Sequence, residues 1–231
     1  MIAVIMAGGL GTRLRPLTYS IPKPLLPIGE KPILEIIIEK LKSQNIRKII
    51  LTTGYRSELI QTYFRNGKSL GVNITYMNES KPLGTAGALA MLKKSLGAKE
   101  PFLVMNGDIL TKLDFNRMRD FHLEQKALLT IGMVKHKYKL AFGTLELDGH
   151  DLRSIKEKPE FTYDVSAGIY IIQPQALSYI PKDKHFTMPE LAMALVKNRQ
   201  KVSCYSIKEY WMAVEHIDQF TQAINMKSKW L

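Results

Sequence analysis

Read from its amino terminus, the chain alternates short apolar runs with stretches whose apolar residues return every three or four positions. Ile2 to Met6 is an apolar run leading into glycines, the pattern of a buried strand. Pro32 to Gln44 carries Ile33, Ile36, Ile37 and Leu41 at helical spacing, with proline near the first turn where its missing N–H costs nothing. Lys48 to Thr53 predicts a second strand. Ser57 stands as N-cap to a helix reaching about Asn66, because its hydroxyl can accept from a free first-turn N–H. Val72 to Met77 predicts a third strand, and Thr85 a cap for a small-residue helix from Ala86 to Ser95. Phe102 to Asn106 predicts a buried strand closing on Gly107 and Asp108, after which Asp114 caps a helix to Gln125.

The first half therefore reads as strictly alternating strands and helices, which implies a mostly parallel sheet with helices on both faces. In such sheets ligands lie beyond the carboxyl ends of the strands, near a topological switch point. Gly8 and Asp108 both follow strands there and are expected to face one cleft. The second half is richer in strands: Leu128 to Val134, Phe142 to Asp148, Leu152 to Glu157 and Val165 to Gln173, with an Asp148-Gly149 turn. Helices at Pro174 to Tyr179 and Met188 to Asn198, a strand at Lys201 to Ile207 and a helix from Ile217 to Lys227 complete the reading. There is no repeat, low-complexity segment or linker. The expectation is a single α/β domain over 1–231, with an alternating first half (about 1–125) and a strand-rich second half (about 126–231) that supplies one wall of the site.

Composition narrows the classes. With 231 residues, 45% of them hydrophobic, the chain can bury a real core. No run of eighteen apolar residues exists, so a membrane span is not expected. MIAVIM lacks the basic flank and cleavage site of a signal peptide. One cysteine, Cys204, cannot form an internal disulfide, and a cytoplasmic location follows as the expectation. The net charge of +12 suits anionic small molecules. Lys and Arg are spread without a basic run or aromatic-interleaved RNA motif, so a solvated surface is expected and nucleic acid is not.

The candidate chemistry starts at MAGGLGTRLRPLT. Gly9-Leu10-Gly11 opens like a dinucleotide fingerprint, but Leu14 occupies the third glycine position, which counts against a nicotinamide-binding oxidoreductase. No GKS or GKT follows, so it is not a Walker loop. Glycines there still let backbone N–H groups approach phosphate oxygens. Arg13 adds a forked cation and Lys23 a point charge. Alone, such a turn with surface cations would be structural.

Taken together, GGLGTRLRPLT and PKPLLPIGEKPILE closely resemble the signature of the sugar-1-phosphate nucleotidylyltransferases. PLGTAGAL (82–89), Asn-Gly-Asp (106–108), EKP (157–159) and VSAGIYII (165–172) match in the same order. The resemblance implies a nucleotide-diphospho-sugar transferase fold and the reaction of an NTP with a sugar 1-phosphate to give NDP-sugar and pyrophosphate. By that likeness Ala7, Gly8, Gly9, Gly11, Thr12, Gly84 and Thr85 contact the nucleotide, Arg13 binds the leaving pyrophosphate and Lys23 offsets charge at the α-phosphate. Asp108 would hold Mg²⁺, a hard cation suited to carboxylate and phosphate oxygens. Lys158 would grip the sugar phosphate, Glu157 accept from a sugar hydroxyl, Gly143 let the sugar approach the backbone and Ser166 line its pocket. Without the resemblance, Asp108 and Lys158 would read as turn residues.

Glu79 falls where thymidine- and uridine-using relatives often carry Gln. A carboxylate can accept from guanine N2 and the adjacent ring N1–H, whereas uracil and thymine set an acceptor beside their donor. A solvent-facing Glu79 that reads nothing is the competing placement. PLGTAGAL resembles the guanylyltransferases for mannose, heptose and glucosamine 1-phosphates, and Ser166 leans toward the glucosamine type, so GTP is the expected nucleotide. The resemblance also implies surface-glycan or lipopolysaccharide precursor synthesis, and a homodimer is the family-based expectation. Met-rich composition and Trp230 suit apolar contact with a partner. Relatives often carry further modules absent from these residues, which leaves a short form and an excised domain both open.

The pattern breaks near the carboxyl end. Relatives show Tyr-Trp, one residue, then Asp-Ile-Gly; here the run is Tyr210-Trp211-Met212-Ala213-Val214-Glu215. The expected second metal ligand is Ala213, whose side chain cannot bind a cation. An enzyme with altered metal handling, in which Glu215 or Asp218 swings in or Asp108 suffices, stands against a nucleotide-sugar-binding paralogue without turnover.

Overall fold

Strands at the centre of this chain are apolar on both faces because helices cover both. Ile5, Leu51 and Leu103 belong to one buried cluster, packed with Ile33, Ile37 and Leu41 of the first helix. Val4, Phe102 and Val104 belong to a second, packed with Leu89, Leu92, Leu191 and Leu195. The computed structural model describes residues 1–79, 83–94 and 100–226. Pro82, the end of the expected helix at Ser95, Lys227 and Trp230 lie outside the described residues.

In chain order the strands are β1 (Ile2–Met6), β2 (Pro27–Ile28), β3 (Lys31–Pro32), β4 (Lys48–Thr53), β5 (Asn73–Asn78), β6 (Phe102–Asn106), β7 (Ile109–Thr111), β8 (Leu129–Lys139), β9 (Thr144–Asp148), β10 (Asp151–Lys156), β11 (Glu160–Ile172), β12 (Val202–Ser206) and β13 (Trp211–Ala213). The α-helices are α1 (Ile33–Ser43), α2 (Ser57–Phe64), α3 (Gly84–Gly87), α4 (Phe115–Gln125), α5 (Met188–Lys197) and α6 (Ile217–Asn225). Seven strands form one sheet in the order β12-β8-β11-β6-β1-β4-β5. The pairs of β1 with β4 and β6, of β4 with β5 and of β12 with β8 are parallel; β11 runs antiparallel to β6 and β8. The mixed, mostly parallel α/β architecture expected from the alternation is the observed one.

The order fixes where a ligand can sit. From β1 the chain adds β4 and β5 on one side, then returns to place β6 on the other. That reversal makes a crevice beyond the carboxyl ends of β1 and β6, where Gly8 and Asp108 emerge.

Several local expectations change. Ser57 does not cap α2; it is the first helical residue, and Arg56, in the left-handed conformation, precedes it without a side-chain cap. Thr85 lies inside α3, and its Oγ1 instead accepts from Met188 N at 2.9 Å. Beyond Gly87 the expected helix continues as a 3-10 turn over Ala88–Lys94. Pro174–Tyr179 is likewise 3-10. The Asp114 cap stands: its Oδ1 accepts from Asn116 N at 3.0 Å and Arg117 N at 3.1 Å.

The second half departs further. β8 and β11 run on beyond the body as a two-stranded ribbon, from Val134↔Val165 to Lys139↔Glu160. Leu140 N donates to Pro159 O at 3.1 Å, and the ribbon continues into the β9–β10 hairpin. At about 3.3 Å per residue this arm is roughly 40 Å long. Alternation alone made these four separate short strands.

Candidate functional site

The turn after β1 is shaped by buried anchors. Ala7 N donates to Thr52 O at 2.9 Å, and Leu14 is fully buried at the end of the 3-10 turn Thr12–Leu14. Gly11 has φ +61°, and a methyl group there would lie 2.9 Å from Thr18 Cγ2, so both conformation and space require glycine. Thr18 Oγ1 donates to Gly11 O at 2.8 Å and closes the loop. Lys23 opens a further 3-10 turn, Lys23–Leu25, with proline on either side. Prolines fix φ, so the Lys23 side chain leaves a stiff backbone.

These loops wall a cleft of about 550 Å³ at the switch point. All ten residues expected at the nucleotide lie on its wall: Ala7, Gly8, Gly9, Gly11, Thr12, Arg13, Lys23, Glu79, Gly84 and Thr85. Asp108 joins them because Gly107 N donates to Met6 O at 2.9 Å, drawing the end of β6 against β1. Tyr55, after β4, also lines the cleft and escaped the sequence reading, as no motif marks it.

Both candidate cations are held by carboxylates. Lys23 Nζ pairs with Asp108 Oδ2, both side chains mostly buried. Arg13 Nη1 donates to Glu215 Oε2 at 2.5 Å across the cleft mouth, where the side chains are 63% and 41% exposed. Gln219 of α6 accepts from Glu215 N at 2.8 Å and His216 N at 3.0 Å, which fixes the backbone behind that carboxylate. Glu215 is the one residue of the second half on the described wall.

Ala213 occupies the place the sequence pattern gives it. β13 pairs antiparallel with β7, setting Ala213 opposite Ile109 beside Asp108. Val214 N donates to Asp108 O at 2.9 Å, and Trp211 Nε1 to Ala167 O at 2.9 Å. Asp108 Oδ1 is buried without a hydrogen-bond partner in the described residues. An orphaned carboxylate oxygen suits a hard cation. No group of three or more His, Cys, Asp or Glu gathers there or elsewhere among the described residues, and Ala213 adds no ligating side chain beside Asp108.

Glu79 faces the cleft, against the solvent-facing alternative. Its N donates to Thr53 O at 3.0 Å, its Oε2 accepts from Leu83 N at 3.1 Å, and Oε1 would lie 3.2 Å from a methyl on Gly8. Gly84 has φ +76° and packs so closely on Phe186 O that a methyl would come within 2.7 Å.

The four sugar-phosphate candidates are not on that wall. Gly143 and Glu157 meet at the base of the β9–β10 hairpin, where a methyl on Gly143 would lie 3.1 Å from Glu157 Oε2. Lys158 has φ +44°, and its Nζ stands 3.9 Å from Glu157 Oε1 with both side chains exposed. Ser166 Oγ shares a 3.1 Å hydrogen bond with Tyr170 OH. Burial pushes the Tyr170 pKa up, so that hydroxyl stays protonated. The structure thus gathers the residues expected at the nucleotide on one wall, while the four expected at the sugar phosphate do not line it.

Residues 2–229 match the sequence model of the nucleotidyl transferase family. The chain is 33% identical over 216 residues to a mannose-1-phosphate guanylyltransferase of Mycobacterium tuberculosis, covering 90% of this chain and 59% of that protein. It is 30% identical over 242 residues to a UTP–glucose-1-phosphate uridylyltransferase of Synechocystis, covering 97% and 62%. The chain spans about three-fifths of the length of these curated relatives. Among solved structures, HddC from Yersinia pseudotuberculosis aligns with TM-score 0.77 and 30% identity, over 97% of this chain and 98% of that one; it has also been solved in complex with GMP-PN.

Proposed function

The chain belongs to the nucleotidyl transferase family, and from that premise we propose that it joins an NTP to a sugar 1-phosphate, releasing pyrophosphate. The observation that carries this reading is one cleft at the switch point that gathers the glycine loop, Arg13, and the Lys23–Asp108 pair. We read residues 1–231 as one nucleotidyltransferase domain acting in the cytoplasm.

In the proposed reaction a sugar-phosphate oxygen attacks the α-phosphorus. A new P–O bond forms there as the bond to the β-phosphate oxygen breaks, and the electron pair leaves with pyrophosphate. The demand on the protein is to align two polyanions and offset their repulsion. Backbone N–H groups of Gly8 to Thr12 would hold the phosphates, Lys23 the α-phosphate charge and Arg13 the departing pyrophosphate. Asp108 would hold Mg²⁺ with its free Oδ1, the remaining ligands being phosphate oxygens and water. Bound there, the ion would offset triphosphate charge. Lys158, Glu157, Gly143 and Ser166 would meet the sugar phosphate, and Ser166 would exchange its Tyr170 bond for a sugar hydroxyl.

We infer GTP as the nucleotide. Glu79 presents a carboxylate in the cleft, and guanine offers it adjacent N1–H and N2 donors. The sugar is proposed as glucosamine, mannose or heptose type, for surface-glycan precursors.

Ala213 favours a second reading, a nucleotide-sugar-binding paralogue without turnover. Pyrophosphate release with a panel of NTPs and sugar 1-phosphates, run on the natural chain and Ala213→Asp, separates the two. Turnover by the natural chain, highest with GTP, supports the enzyme. Turnover only after Ala213→Asp supports the paralogue, and none in either overturns the activity.

A further inference from the structure

The arm exposes apolar faces that nothing in the described chain covers. Along the β8–β11 ribbon directly opposed residues share a face. One face carries Lys135–Asp164 and Lys137–Glu160 ion pairs at 3.0 and 2.8 Å. The opposite face carries Tyr138, Phe161 and Tyr163, exposed by 55%, 39% and 57%, with the last two rings stacked.

The hairpin repeats the division. A register shift between Leu152 and Ser154 lets Leu152 oppose Leu147 while Ile155 opposes Leu145. Regular alternation would send Leu152 and Ile155 to opposite faces; the bulge returns them to one. All four are 55–61% exposed, and Phe142 at the hairpin base is 79% exposed. Among the described residues each ribbon also has both edges free, since β9 and β10 pair only with each other and the outer parts of β8 and β11 do likewise. A lone two-stranded ribbon in water is marginal without cover for its apolar face.

We propose that this arm is the contact through which two copies of the chain associate, arm against arm about a two-fold axis. The occupant follows from charge and area. Residues 135–164 hold six basic and six acidic residues, and therefore none of the chain's net +12. An anionic partner would be drawn to the basic body, whereas a neutral apolar ribbon matches another of its kind without repulsion. An arm of roughly 40 Å far exceeds the Debye length of about 8 Å, so the two basic bodies are screened from each other. Eight exposed large apolar side chains offer on the order of 1,000 Å², against the about 800 Å² per partner of a stable interface. A self-complementary patch on both copies is what a two-fold dimer requires.

The test is sedimentation velocity of the natural chain over a wide concentration range, beside Leu147→Asp/Leu152→Asp and the control Val196→Asp. Val196 is similarly exposed but lies on α5. The natural chain and the control should form a concentration-dependent dimer, and the arm variant should raise its dissociation constant by roughly 30-fold or more. Hydrogen exchange across 144–156 in the natural protein should slow as concentration rises, a readout needing no variant. A natural chain that stays monomeric, or a dimer the arm variant leaves intact, overturns the proposal. A monomer that floats with phosphatidylserine/phosphatidylcholine vesicles through the arm overturns it in favour of a lipid surface. None of these residues contacts the nucleotide cleft, so the outcome is independent of turnover.

Discussion

The cleft and the arm hold opposite kinds of unfinished business. In the cleft, both candidate phosphate-binding cations already have carboxylate partners, and the loops that carry them are tied to the ends of β1 and β6. On the arm, Glu157 and Lys158 are exposed, and among the described residues that ribbon is held chiefly by its own ladder. The sheet fixes the loops at the carboxyl ends of β1, β4 and β6 together because each of these strands is hydrogen-bonded on two sides. A two-stranded ribbon lacks that restraint. On the proposed reading, the cleft is therefore preorganised for its ligand and the arm is the less restrained of the two.

The largest expected effect comes from breaking the preorganised side. Lys23→Ala removes a charge aimed at the α-phosphate and leaves Asp108 unpaired in a mostly buried site. Turnover should fall by about 10²–10³, the usual cost of losing one preorganised electrostatic group. Steady-state pyrophosphate release checks this, and a loss under about three-fold would remove Lys23 from the reaction.

A second measurement probes the root of the arm. His122 of α4 is fully buried, with Nδ1 2.8 Å from Thr130 Oγ1 on β8, the strand that leaves the body as the arm. Burial pushes its pKa down to about 4. The unfolded chain binds a proton near pH 6.5 while the folded chain does not, so this contribution is full above that pH and is lost as pH falls toward 4. Between pH 7 and 5 the His122 contribution should cost roughly 2 kcal/mol of stability. Urea midpoints at both pH values, compared with His122→Gln, measure it; an equal loss in the variant would refute the assignment.

On the arm itself, Lys158→Ala should raise KM for the sugar 1-phosphate by about ten-fold, an interaction worth roughly 1.4 kcal/mol, with KM for the NTP unchanged. An equal rise in both constants would show that the two sides are not separable.

The same contrast governs what could be read in advance. Apolar runs between glycines marked β1, β4 and β6, and strand alternation then dictated the switch point. The glycine loop, Lys23 and Asp108 were legible because a parallel sheet leaves its loops few places to go. The arm was not, because period-two alternation says nothing about how far a strand travels or what covers it. Thr85 looked like a cap from its neighbours, but a donor 103 residues away claimed its hydroxyl. The β7–β13 pair was too short for any periodicity, although it decides where Ala213 and Glu215 fall.

Glu215→Gln carries the smallest effect and the finest distinction. The Arg13–Glu215 pair is solvent-exposed, so its own stabilisation is at most about 1 kcal/mol, and unfolding should not register its loss. A triphosphate must nevertheless compete with Glu215 for Arg13. Freeing Arg13 should tighten NTP binding by about two- to five-fold at low salt, and the gain should shrink as salt screens the exposed pair. Calorimetric titration with and without magnesium reads both arms. The opposite result, binding weakened about ten-fold and only when magnesium is present, would mean that Glu215 supplies the carboxylate missing at Ala213. In that case Arg13 holds Glu215 in reserve for the metal, and the cleft has repaired its broken motif two residues downstream.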